Sequence, residues 1–453
     1  MKLQKLNLFD FTMIMVALVI GMGIFRTGSV AAKGAGTPAI FFSAWIAGGI
    51  IALCGALTFA EIGSRYPVTG GYYKIFSYAY HPSIAFAINC VVLISSAGAV
   101  SGVALIGSGY ISQVLFDHPA SDTVKLGIAL TAIVAFYGIN LLGLKMSART
   151  QNVLMIIKIG MILLLILPLF IPSLWHHDPS IAGPLPPPGS LPPLSHSPSS
   201  PGAAAWIANF GKALVAVSFA YTGYQQTINF GNEVERPARN VPRAIFMGIA
   251  IIITLYMLVN LSYYKVLGFE ELKQQNEIAN TVASRLLGKP GGSLFSGLLF
   301  LSVLAYVNVM LMSNPRVMFA MGEDKVLPAF FAKKTANRDV LVVSLTAFSA
   351  ICIVTLLFAK TFDQILNFTI FLDSLGMATS AGAIFMLRRR TRHLDHTGIY
   401  SMRLYPLQPI IFITAYIFVA FSVFRQSPAT AGIGLLILLG FLVIYWISRR
   451  MSS

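Results

Sequence analysis

Two apolar segments of this 453-residue chain are interrupted by small residues, at Gly21-Met22-Gly23-Ile24-Phe25 and at Phe219-Ala220-Tyr221-Thr222-Gly223. Where a helix unwinds, one half presents free backbone N–H groups at a positive dipole end, suited to a carboxylate, and the other presents free carbonyls, suited to an ammonium or other cation. A lone Gly-x-Gly equally suits close helix packing, as assigned to Gly98-Ala99-Val100-Ser101-Gly102. A second break, opening the other half of the chain, favours a site for a small zwitterion between two repeats. Gly21 and Gly23 also let a ligand come close to the backbone.

Ionisable groups deepen this reading. Lys158 lies about ten residues into an apolar run, roughly 15 Å from its end at 1.5 Å per residue. A charge at that depth costs about 2.5 to 3.5 kcal/mol on insertion scales, so the residue has a function or a firm structural partner. It can brace the bundle through a hydrogen bond, or exchange a proton and couple transport to it. Asp373 is similarly deep and can pair with a base, carry a proton or meet a cationic substrate group. Asn308 is a third polar group, for which ordinary interhelical hydrogen bonding is the simplest role.

The elements that position these residues are transmembrane helices. With 56% hydrophobic and 11% charged residues and a mean hydropathy of +0.75, the chain falls outside the range of a soluble domain. About twelve apolar runs long enough to span a bilayer follow one another. They include Asp10 to Ala31, Pro82 to Val114, Ala148 to Ile171, Ala204 to Asn232, Ala244 to Tyr264, Ser293 to Met321 and Phe362 to Leu387. No signal-peptide cleavage pattern precedes the first run, which is expected to stay in the mature chain.

Lys and Arg, which give a net charge of +16, collect at alternate connections, including Lys2 and Lys5, Lys145 and Arg149, Arg236 to Arg243, and Arg388 to Arg403. The connection bearing Lys265, Lys273, Arg285 and Lys289 is the main exception. By the positive-inside rule both termini face the cytoplasm, so the basic excess sets topology and does not argue for nucleic acid. Cys54, Cys90 and Cys352 are too scattered for a disulfide framework. The Pro-rich stretch 172–202 reads as an external linker between two halves. The expected organisation is 1–171 as the first half-repeat, 203–391 as the second, and 392–453 as two further helices with a cytoplasmic C-terminus.

These residues resemble a known family. Gly21 to Phe25 is similar to the first-helix motif of the amino acid-polyamine-organocation superfamily, and Gly55 to Gly71 to its second helix and following loop. Phe219 to Gly223 with Asn232 to Ile245, Pro315 to Pro328, and Leu387 to Arg390 fit its sixth, eighth and tenth helices in order. Within the superfamily the resemblance is to bacterial relatives of the L-type amino acid transporters. It implies an all-α membrane protein with a five-plus-five inverted repeat, helices 1 and 6 broken, two extra C-terminal helices, and secondary transport by alternating access in the bacterial cytoplasmic membrane.

Carried onto this chain, the resemblance places the substrate between Val19, Ile20, Gly21, Met22, Gly23 and Ile24 of the first break and Phe219, Ala220, Thr222, Gly223 and Tyr224 of the second. N–H groups around Met22 and Gly23 would hold a carboxylate, and carbonyls of Val19, Ile20, Phe219 and Thr222 an amine. Phe219 would gate the site and Tyr224 line a side-chain pocket, although an aromatic there also serves simple packing. Lys158 would stand in for a bound sodium ion, with Asn308 and Asp373 as further coupling residues. Tyr72, Asn232 and Arg26 depart from the family pattern.

No phosphate-binding Gly-x-x-x-x-Gly-Lys-Ser/Thr loop and no His-Glu-x-x-His pair occurs. An ATP-driven pump, a metal site and an enzyme are therefore not expected, and no cofactor is implied. A channel would need a continuous polar pore or a carbonyl ring. The expected function is sodium-independent amino acid transport, by proton-coupled uptake or exchange, with neutral amino acids favoured over cationic ones or polyamines. No cysteine lies between the third and fourth spans, so no disulfide-linked subunit is expected.

Overall fold

A computed structural model describes residues 5–116, 120–176, 202–335, 340–358, 362–392 and 398–452. Most of the Pro-rich linker, residues 177–201, lies outside these, as do 336–339 and 393–397 within two basic connections. The described residues are helical, with two isolated β-bridges and no sheet. In chain order the helices are α1 Leu8–Val19, α2 Gly23–Ala35, α3 Pro38–Arg65, α4 Gly71–Ala79, α5 Pro82–Leu115, α6 Asp122–Leu141 and α7 Leu144–Ile166. The second half continues with α8 Ala203–Tyr221, α9 Pro237–Gln274, α10 Ile278–Glu323, α11 Val342–Phe358, α12 Phe362–Arg390, α13 Leu407–Gln426 and α14 Pro428–Ser452.

Among the described residues, nine helices or broken helices are long and apolar enough to cross a membrane, and the apolar segments Val342–Phe358 and Ala431–Ile447 are shorter. Large apolar side chains on the outer faces have no protein neighbour to cover them: Phe170 is 77% exposed and Leu436 69%. Such a surface is stable only against lipid.

The helix boundaries follow local chemistry. Thr37 and Ser121 cap α3 and α6 by accepting from the N–H groups of Ile40 and Val124. Pro38 and Pro82 sit at the first helical position, where a missing N–H costs nothing. Two features differ from the sequence expectation. The loop after α3 contains a further short helix, α4, and the basic connection between the seventh and eighth spans is largely helical. There α9 and α10 extend toward each other through kinks at Gly268 (φ 70°) and Gly288 (φ 74°). Glycine adopts these positive angles without a Cβ clash, so the chain turns and resumes its helix.

The end of the bundle nearest the N-terminus is held by buried ions. Glu61, fully buried on α3, accepts from Arg388 Nε at 2.7 Å and Nη2 at 2.6 Å, from Arg65 Nε at 2.7 Å and from the Met402 N–H at 2.8 Å. The Arg388 guanidinium also lies 3.7 Å from the Tyr405 ring centre. One carboxylate thus joins α3, α12 and the segment leading into α13. Replacing Glu61 with Ala leaves two guanidinium groups without their shared anion and is expected to destabilise the fold by about 3 kcal/mol or more. Thermal melting of the detergent-purified variant checks this, and a melt matching the unmodified protein would contradict it.

Candidate functional site

The two interruptions predicted from sequence are breaks in the structure, and they meet. α1 ends at Val19; Ile20 leaves helical geometry at ψ 81°, Gly21 N–H turns back to the Val19 carbonyl at 2.8 Å, and α2 begins at Gly23. α8 ends at Tyr221, Thr222 is extended, and the chain resumes as 3-10 turns over Tyr224–Asn229 and Gly231–Glu233. α2 packs along α8 while α1 packs along the 3-10 turn. The two broken helices therefore run antiparallel and cross at their gaps.

The crossing is close enough to demand glycine. A Cβ on Gly23 would lie 3.1 Å from the Ala220 Cα, and one on Gly223 would lie 2.0 Å from the Leu18 carbonyl oxygen. Gly223 also has φ 117°, which side-chain-bearing residues rarely adopt. Its N–H donates to Gln225 Oε1 at 2.8 Å, so the second break satisfies its own donor and leaves mainly acceptors. In the first break the opening N–H groups of α2 have no intrahelical acceptor, as at any helix start. Donors at the start of α2 thus stand beside carbonyls at the ends of α1 and α8.

A cavity of about 220 Å³ opens at this crossing. Val19, Gly21, Met22, Gly23, Phe219, Ala220, Thr222, Gly223 and Asp373 line it, so nine of the positions singled out from sequence are brought together. It continues along α2 through Arg26, Ser29 and Val30 to Lys33, and reaches Gln275 and Asn276 between α9 and α10. The opposite end is closed. There Asn229 accepts from the Tyr72 N–H at 3.0 Å through its side chain and from the Gly70 N–H at 2.9 Å through its carbonyl, and donates to Ser313 Oγ at 3.1 Å. Just beyond, Arg316 Nη2 meets Glu233 Oε2 at 2.5 Å, and the Leu6 N–H donates to the Glu233 carbonyl at 2.7 Å.

The remaining singled-out residues lie outside the cavity lining. Ile24 and Ile20 are buried beside it, and the Ile20 carbonyl accepts from Lys158 Nζ at 2.7 Å. Lys158, 0% exposed, therefore holds the gap in α1 from behind. Asn308 joins α10 to α6 and α7: it accepts from Asn140 Nδ2 at 2.9 Å and donates to Gln151 Oε1 at 2.7 Å. These are the interhelical hydrogen bonds of the simpler reading. Tyr224 points elsewhere than the sequence reading placed it. Its hydroxyl abuts Gly55, and its ring meets Phe59 edge-on at 6.0 Å, in the seam with α3 and α13.

Sequence reading missed Ser96, Tyr306, Gln225 and Gln226, all of which line the cavity. The adjacent glutamines carried a signal, being amides immediately past a break in an apolar segment. Tyr306, whose ring lies 3.3 Å from the Cβ position of Gly21, is one of 17 tyrosines and had none.

Comparison with known proteins supplies context for this geometry. A family model described as amino acid permease matches residues 6–447. The serine/threonine exchanger SteT of Bacillus subtilis is 29% identical, over 98% of this chain and 97% of its own length. The large neutral amino acids transporter small subunit 2 of Mus musculus is 26% identical over 98% of this chain and 81% of its own length. The methylthioribose transporter of Bacillus subtilis is 28% identical over 90% and 86%.

The contact at Gly223 can be tested without knowing a ligand. In the Gly223→Ala variant the new methyl group collides with the Leu18 carbonyl and the backbone is held at an unfavourable angle, which is expected to cost about 1 to 3 kcal/mol. A melting temperature equal to that of the unmodified protein would exclude the described crossing.

Proposed function

The chain belongs to the amino acid permease family, and we propose that it carries amino acids across the cytoplasmic membrane by alternating access, without sodium. The observation that supports this best is the meeting of the two breaks, which sets helix-start donors of α2 beside helix-end acceptors of α1 and α8 across one cavity. That polarity matches a zwitterion: the carboxylate on the N–H groups of Met22, Gly23 and Ile24, and the amine on carbonyls of Val19, Phe219 and Thr222. The Ile20 carbonyl already accepts from Lys158 Nζ, the Phe219 carbonyl from the Thr222 hydroxyl at 2.9 Å and the Thr222 N–H at 3.5 Å, and the Val19 carbonyl from the Gly21 N–H at 2.8 Å and the Tyr256 hydroxyl at 3.4 Å. The second contact at Phe219 and at Val19 is long and weak, so a charged amine can take its place.

Sodium independence rests on Lys158. Its ammonium supplies a fixed positive charge on the Ile20 carbonyl, where a cation-coupled carrier would need a bound ion to satisfy the unwound backbone. The two halves, 1–171 and 203–391, are the proposed inverted repeats, since each begins with the broken helix that contributes to the site. With the termini cytoplasmic, the cavity past Arg26 and Lys33 faces outward, and the Asn229 and Glu233 contacts seal the inner side. Neutral amino acids are the proposed class, following the substrates named for the serine/threonine exchanger and the large neutral amino acids transporter. Flux proceeds as exchange or as proton-coupled uptake, and no disulfide-linked subunit takes part.

Two measurements in proteoliposomes test this reading. Labelled amino acid uptake is expected to persist when sodium is replaced by choline at fixed pH; abolition would overturn sodium independence. Vesicles loaded with unlabelled substrate are expected to accumulate label transiently, an overshoot that a channel cannot produce. The Lys158→Met variant, which leaves the Ile20 carbonyl without its donor, is expected to lower uptake about tenfold or more.

A further inference from the structure

Asp373 is a carboxyl group without an adequate partner. It lines the cavity from α12, and among the described residues its one hydrogen bond is from Ser95 Oγ at 3.4 Å, beyond the roughly 2.5 to 3.0 Å of a good O–H···O bond. Among the described residues no Lys, Arg or His nitrogen lies within 4.0 Å of it. The structural ion pair that would explain an acidic residue at this depth is thus not formed. A carboxyl left this way at membrane depth is costly unless water or an occupant of the cavity completes it, and an occupant that displaces the water must replace its hydrogen bonds.

The surroundings say what that occupant must bring. Ser96 of α5 and Tyr306 and Met310 of α10 share the cavity wall with Asp373. Tyr306 packs its ring against Gly21 at the break and shares the cavity lining with Asp373. The side chain of a solute seated on the break can extend along this same cavity toward Asp373. The charged residues lining the cavity are Arg26, Lys33 and Asp373, two basic and one acidic. Arg26 and Lys33 line the cavity along α2 on the way to the break, so a cationic side chain passes two basic groups to reach Asp373, whereas a neutral donor meets no such repulsion.

We infer that Asp373 is a specificity residue that selects neutral amino acids whose side chain carries a hydrogen-bond donor, a hydroxyl above all. This rests on the transport reading and narrows it. An acceptor that the occupant shuts off from water discriminates against an isostere lacking the donor, because the carboxyl is then desolvated with nothing in return. Threonine and valine have nearly the same shape and differ in that donor, so they form the sharpest comparison.

The test is competition for exchange in proteoliposomes, with threonine against valine, serine against alanine, and lysine alongside. In the unmodified protein threonine is expected to compete about tenfold or more better than valine. Asp373→Leu should bring that ratio close to one, read as relative competition at whatever exchange rate the variant retains, and Asp373→Asn, which keeps an acceptor oxygen, should retain part of the preference. Valine matching threonine in the unmodified protein would overturn the inference while leaving amino acid transport intact. Lysine outcompeting threonine would overturn it in favour of a cation subsite. Equal loss of all substrates in Asp373→Asn, together with loss of the pH dependence of uptake, would overturn it in favour of a proton site. Absence of exchange with any amino acid would remove the transport reading and this inference with it.

Discussion

Backbone N–H and C=O groups have no water to turn to inside a bilayer, and this constraint governs the structure. Each unsatisfied group costs several kcal/mol in hydrocarbon, so a membrane helix unwinds only where other groups take over. Here α1 and α8 unwind at the same place, and each shields the other: Gly23 lies against Ala220, and Gly223 against Leu18. Neither gap faces lipid. The freed groups instead border one cavity, where an occupant with opposite charges at its two ends can satisfy both sets at once.

The remaining polar groups near the gap are arranged so that some of this demand is met permanently. Lys158 serves the Ile20 carbonyl and Gln225 serves the Gly223 N–H. What stays open is a subset: donors at the start of α2 and acceptors at the ends of the preceding helix and of α8. A site in which every backbone group was satisfied would bind nothing, and one in which none was would not fold. Lysine suits the role at Ile20 because its long stem reaches from α7 while the ammonium makes a charge-assisted bond to a single carbonyl.

Much of this was legible in the sequence because the signals are local. Long apolar runs and the glycine pattern at each break need only the residues themselves to be read, and Lys158 announces itself by its depth. The crossing was inferable only because the two breaks occupy corresponding places in two halves. Other features depend on which residues meet across space. Tyr224 follows the second break directly, yet the 3-10 turn rotates it into the seam with Gly55 and Phe412, away from the cavity. Asn308 makes the interhelical hydrogen bonds that were its simplest reading, but that it would tie α6 and α7 to α10 depends on partners more than 150 residues away. Glu61, near the end of its helix, reads from sequence as a charge that water can solvate, yet it is fully buried, because its partners Arg388 and Met402 lie more than 300 residues away. The helical continuations of α9 and α10 were hidden by polar, lysine-bearing stretches that mimic a loop.

The chemistry of the closed end bears on how such a structure can open. A seal made of packed apolar side chains would cost roughly 25 cal/mol for every Å² exposed to water when it parts. The contacts between the segment after α8 and its neighbours α4 and α10 include, beside the buried Ile228 and Phe230, several of another kind. Asn229 makes three directional hydrogen bonds, and Glu233 pairs with an Arg316 whose guanidinium also lies 4.3 Å from the Phe230 ring centre. When water enters, each of these protein–protein bonds is exchanged for bonds to water, and the net cost per bond is about 0.5 to 1.5 kcal/mol, more where a charge is involved. The bonds are also specific in direction, so a tilt of the 3-10 segment breaks several together. Closure is then definite and opening is affordable, a balance that a greasy plug of the same area would not provide. The proposed alternating access asks for this combination at the end of the site that is shut.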